Sequence, residues 1–219
     1  MTQTLHILNG QMMYEYFRKT RFLNGEVMVP FNEAMCEGKV HEVIFSDTFA
    51  QIRANVHQVT LDQYKEITLQ PLEPLLSKKF TDLTLWFDAD MFCQMNILTI
   101  LGWLDQIGYK GEIKLHIVGD QFELKENFDL KAEGYYQLYK QVFLEKESPE
   151  FVFPKPLRKG IDLYLQYLDR DSELVQYITA HQDIPEKELV MKLLAKFSHY
   201  GLGDTQYLKI IKSYRSHLK

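Results

Sequence analysis

Cysteine is almost absent. The two that occur, Cys36 and Cys93, are far apart and no CxxC pair exists, which excludes a disulfide scaffold and a cysteine-knuckle metal site. Both are expected as reduced thiols. Proline (7) and glycine (11) are sparse over 219 residues, which excludes collagen-like and low-complexity chains. The longest apolar run, 97–104, falls far short of the roughly 20 residues that cross a bilayer. No basic segment followed by an apolar run opens the sequence, so no signal peptide and a cytoplasmic address are expected. Neither sign of charge dominates: 25 Lys+Arg stand against 30 Asp+Glu. The fingerprints GxGxxG, Walker A, GxSxG and HExxH are missing, which removes the common dinucleotide, P-loop, α/β-hydrolase and zincin readings.

What is present is a globular composition, 46 % hydrophobic and 25 % charged. A chain of this length buries roughly 70 % of the surface it exposes when unfolded. The acid excess is local. Residues 1–120 hold 10 Lys+Arg and 15 Asp+Glu, whereas residues 121–219 hold 15 of each. The charge argument against a nucleic-acid partner therefore applies to the first part and leaves the second less constrained.

The first 120 residues alternate strand and helix signals. A short β-type run at 4–8 ends on Asn9-Gly10, a helical stretch follows at 11–19, and a second strand at 26–30 stops at Pro30. Helical spacing recurs at 47–57 and, broken by Pro71 and Pro74, at 61–80. The clearest unit is a strand at 82–87, a largely apolar helix at 91–107 and a strand at 112–118, which reads as a βαβ crossover with parallel strands. Leu5-His-Ile-Leu-Asn-Gly10 and Leu115-His-Ile-Val-Gly-Asp120 echo one another, which predicts two strands ending at one sheet edge. Beyond Asp120 strand signals fade. Helices are expected at 133–147, 157–168, 172–181, 185–198 and 205–217, with Asp183 as a cap before Pro185. The expectation is a Rossmann-like α/β domain over 1–125, with a mainly parallel sheet flanked by helices, and a small all-helical domain over 126–219.

In open parallel sheets ligands bind beyond the carboxyl ends of the strands. Asn9, Gly10, Asp88, Asp90, Gly119 and Asp120 fall at that edge, and the helix after Asp90 offers free N–H groups. Gln94 lies within reach of its first turn. Glu37, on a polar loop after the second strand, and Arg53, on the next helix, are further candidates to face a small polar or phosphorylated ligand. Asp88, Asp90 and Asp120 are alternatively a carboxylate set for a hard cation such as Mg²⁺ in a hydrolase or transferase. Cys93 sits where a helix N-terminus lowers a thiol pKa, but neighbouring aspartates oppose that. His6 and His116 read as hydrogen-bonded core residues. Lys209, Lys212, Arg215 and Lys219 form a basic tail through which the C-terminal helices could touch DNA. No motif requires a cofactor. A homodimer is compatible with the sequence but not specified by it.

Leu5-His-Ile-Leu-Asn-Gly10, Glu26-Val-Met-Val with Cys36-Glu-Gly38, and Leu85-Trp-Phe-Asp-Ala-Asp-Met-Phe-Cys-Gln94 with Leu101-Gly-Trp-Leu104 resemble a bacterial family. Its N-terminal domain is known only as a domain of unknown function, the eighteen thirty-five class. Gly201-Leu-Gly-Asp-Thr-Gln-Tyr207 resembles the helical domain that often follows. The resemblance implies an α/β domain with a helical partner and supplies no reaction; some relatives carry a transcription-regulator label. Three positions depart from the family pattern. Gln11 stands where an acid is usual, Pro30-Phe31-Asn32 where Trp-Arg is usual, and Asp88-Ala89-Asp90 where a charged residue, His and Asp are usual.

Overall fold

The computed structural model describes residues 4–216. Five strands form one sheet: β1 (Thr4–Leu8), β2 (Val27–Pro30), β3 (Asp82–Asp88), β4 (Ile113–Val118) and β5 (Leu124–Leu130), in the order β2-β1-β3-β4-β5. The first four are parallel and β5 is antiparallel to β4. The echo between the two Leu-His-Ile segments is explained by this arrangement, because β1 and β4 flank β3 and point the same way. β5 was not expected. Five of its seven residues are exposed and four are Lys, Glu, Asn or Asp, as suits an edge strand that must not pair further.

Alternation along the strands sorts side chains to two faces. Leu83, Leu85 and Phe87 of β3 join Leu5, Ile7, Leu115 and Ile117 in the main core. That core is completed by α5 (Met91–Gln106), α6 (Tyr135–Tyr139, continuing as a π turn over Lys140–Glu145) and α7 (Lys155–Leu168). α5 is buried almost all round, as its apolar sequence requires. On the opposite face Leu8, Trp86 and Val118 pack against Met13 and Phe17 of α1 (Gly10–Thr20). There His6 Nδ1 accepts a hydrogen bond from Trp86 Nε1 at 3.1 Å, and the His116 ring meets Trp86 edge-on at 4.2 Å. His6 is thus the hydrogen-bonded core residue expected, whereas His116 is half-buried with Nδ1 unpartnered, so its expected hydrogen bond is corrected to ring packing on Trp86.

Between β2 and β3 lie α2 (Asp47–His57), α3 (Leu61–Tyr64), a π turn (Lys65–Leu69) and α4 (Glu73–Leu76). α8 (Glu173–Ala180), α9 (Glu186–Lys196) and α10 (Asp204–Ser216) close the chain. Pro185 itself is the N-cap of α9 and Asp183 is exposed, so the cap expected at Asp183 is corrected. The 125/126 boundary falls inside β5, and one buried core runs from β1 through α5 and α7 to Tyr207 and Ile211 of α10. Among the described residues no helix is long and apolar enough to cross a membrane.

Candidate functional site

From β1 the chain steps one way to β2 and the other way to β3, so the sheet order reverses between β1 and β3. At such a switch point the connections diverge and leave a crevice outside the strand ends. The Asn9 N–H donates to Trp86 O at 3.0 Å and ties the two strand ends together. Asn9 Nδ2 donates to Asp88 Oδ2 at 2.7 Å and to Cys93 Sγ at 3.0 Å. Asp90 caps α5, its Oδ1 accepting from Cys93 N at 2.8 Å, and Gln94 Nε2 donates to Asp88 O at 2.7 Å. Asn9, Asp88, Asp90, Cys93 and Gln94 are therefore one hydrogen-bonded cluster.

Its electrostatics are those of crowded acids. Burial, then the Asp90 carboxylate, pushes Asp88 up to about 6, against hydrogen bonds from Asn9 and Cys93. Burial also raises Asp90, and burial with both carboxylates raises the Cys93 thiol far above its ordinary value. Cys93 is a buried neutral thiol, which does not favour a nucleophile. Gln94 is fully buried against Gly160 of α7, with Oε1 unpartnered, so it supports the cluster from behind.

In front of the cluster is an open cleft of about 520 Å³. Its walls are Asn9, Gly10, Gln11 and Met12, the 31–34 loop, His57, Asp90 with Phe92 and Cys93, and Gly201. Because the Asn9 side chain is engaged with Asp88 and Cys93, α1 has no side-chain cap, and no acid occupies its first turn. Its N–H groups and the positive end of its dipole remain available beside Gly10, whose φ of +74° suits glycine. A Cβ at Gly201 would collide with the Asp90 carboxyl group, so the loop before α10 lies directly on this acid.

One wall holds a network that sequence reasoning missed. Glu33 is buried, with Oε1 accepting from Arg53 Nη2 (2.7 Å), His57 Nε2 (2.5 Å) and Ala34 N (2.8 Å), and Oε2 accepting from Tyr64 OH (2.6 Å). Burial alone would raise its pKa. The His57 hydrogen bond and the Arg53 charge outweigh burial and hold it at about 2. Glu33 is thus an ionised acceptor, which places a proton on His57 Nε2. Asn96 of α5 grips the same loop, donating to Glu33 O and accepting from Met35 N. The one available signal was Arg53 and His57 at i, i+4 on α2, which share a helix face.

Four expected site residues lie elsewhere. Arg53 is fully buried, and its Nη atoms donate to Glu33 and to the carbonyls of Ala34, Glu37 and Lys39, so it clamps a loop instead of meeting an anion. Glu37 Oε1 accepts from Gln206 Nε2 of α10 at 2.6 Å, in a separate crevice with Tyr167 and Lys209. Gly119 and Asp120 form the β4–β5 turn, where Gly119 N donates to Glu123 O and Asp120 is exposed. Asp120 raises the Asp88 pKa from a distance but does not line the cleft. The expected tricarboxylate set also changes: among the described residues, the group with ligand atoms within 4.8 Å is Asp88, Asp90 and Cys93. In the basic tail, Lys209 and Lys212 are exposed, whereas Arg215 Nη2 donates to the carbonyls of His181 and Ile184 after α8. Lys219 lies outside the described residues.

Comparison with protein-family models, with curated proteins and with solved structures finds no match.

Proposed function

We propose that this chain binds a small polar or phosphorylated ligand in the cleft beyond β1 and β3. The observation that carries the reading is the cleft at the β1/β3 switch point, walled by the uncapped start of α1 on one side and by His57 and Asp90 on others. Its volume is that of a pocket for a small molecule. The N–H groups of Gln11 and Met12 suit an anionic or carbonyl oxygen. The Glu33–Arg53 ion pair and Asn96 hold the 31–34 loop without help from a ligand, which keeps the pocket preformed. The DNA reading is less favoured, because Arg215 is packed against the end of α8.

A thermal-shift screen of nucleotides, sugars and sugar phosphates tests the proposal, run on the wild type and on Ala34→Trp, which fills the cleft. The expected result is stabilisation of the wild type by at least one compound and none of the variant. Equal stabilisation of both proteins, or of neither, contradicts it.

A further inference from the structure

The three side-chain amides on the cleft share one property: each amide nitrogen donates inside the protein, and no amide oxygen has a partner among the described residues. Asn9 Nδ2 donates to Asp88 and Cys93, Gln11 Nε2 to Glu15 Oε1 at 3.0 Å, and Asn32 Nδ2 to Ile67 O at 3.2 Å. The principal partner of each amide is a carboxylate or a carbonyl, which can only accept, so each orientation is fixed with the amide oxygen left over. His57 Nε2 is engaged with Glu33 Oε1, and the side chain is 26 % exposed at the cleft wall. Asp90 adds a carboxylate. Asn9 Oδ1, Gln11 Oε1, Asn32 Oδ1 and the Asp90 carboxylate are acceptors contributed by three separate stretches of chain.

This inference rests on the binding reading above and specifies its chemistry. We infer that the cleft takes a ligand carrying several hydroxyl groups, a sugar-like ring or chain, whose O–H donors meet these acceptors. A single divalent cation suits the pattern less well. Among the described residues, the group of acidic, thiol or imidazole ligands within 4.8 Å is Asp88, Asp90 and Cys93, and His57 is outside it. A lone ammonium offers its donors at one point, whereas these acceptors surround a cleft of about 520 Å³ and need donors spread over a molecule. Glu33 acts here as a positioning residue: it orients the His57 ring at the cleft wall, and Arg53 balances its charge.

The test is isothermal titration of the full chain with pentoses, hexoses, inositol and nucleosides, each beside a deoxy counterpart, and with inorganic phosphate and Mg²⁺ alone. At least one polyhydroxylated probe is expected to bind, with a deoxy counterpart at least roughly tenfold weaker, the effect of one lost hydrogen bond of about 1.4 kcal/mol. Gln11→Leu removes one amide oxygen on an exposed helix position where folding is not at risk, and Asn32→Leu removes another from the facing loop. Each is expected to weaken the polyol roughly tenfold. If phosphate binds while no polyol does, or if both variants bind the polyol as the wild type does, the inference is overturned and the binding reading survives. If no probe binds, both fall.

Discussion

Glu33 and Asp88 show how differently two buried carboxylates can be handled. Glu33 receives four hydrogen bonds and faces a guanidinium, so it stays ionised. Glu33→Gln leaves Arg53 buried without a counter-charge and is expected to cost about 3–5 kcal/mol, read by chemical denaturation at pH 7. Because its folded pKa is depressed, the wild type holds this contribution above the unfolded value of 4.5 and loses it as pH falls toward about 2. The stability gap between wild type and variant should therefore narrow on acidification. Asp88 runs the other way. Its folded pKa lies near 6 against 3.8 unfolded, so the native state binds more protons between those values and loses stability as pH rises across them. Asp88→Asn keeps an oxygen for Asn9 and removes the charge. Relative to wild type it is expected to gain about 1–2 kcal/mol between pH 4 and 7, after discounting for partial exposure. A pH-independent difference between the two proteins would contradict this.

At the scale of elements, α5 joins the site to the helices that follow. Its first turn carries Asp90, Cys93 and Gln94, and its flank receives α7 at Gly160, where a Cβ would strike the Gln94 Cβ. Gly160→Ala must force α7 away from α5 and is expected to cost about 1–3 kcal/mol, measured by urea unfolding. Gly201→Ala is worse placed, since its φ is +69° and its Cβ would meet Asp90. It should both destabilise the fold and alter ligand binding, which Gly160→Ala should affect less. These elements were largely legible beforehand. α2 is found at the expected 47–57, and the strand–helix–strand unit lies within a residue or two of its expected limits, because apolar spacing and the Asp90 cap are local signals. β5 was illegible, because its charged, solvent-facing side chains at the sheet edge suppress the alternation that marks a strand. The cluster at Asn9, Asp88 and Asp90 was legible from strand ends. The Glu33–His57 pair was not, since it joins residues 24 apart on a loop and a helix end, a match only tertiary structure makes.

On the scale of the whole molecule, the α/β part and the helices beyond it share one core, and the last helices reach back to the site through Gly201 on Asp90 and to the separate crevice through Gln206 on Glu37. A single cooperative unfolding transition is expected, with calorimetric and van't Hoff enthalpies equal. A fragment ending at residue 125 would truncate β5 and strip α6 and α7 from α5, so it should not fold, which far-UV circular dichroism would report. Gln11, Phe31 and Asn32 line the cleft. The role proposed for this cleft is to hold a small polar ligand. Two-dimensional ¹⁵N–¹H NMR of the labelled full chain, titrated with the best-binding compound of the thermal-shift screen, tests it most directly. Saturable shifts confined to the amides of Gly10 to Met12, Asn32 to Ala34, His57 and Cys93 are expected. Shifts centred on the exposed face of α10 or on the β4–β5 turn, with these amides unmoved, would contradict it.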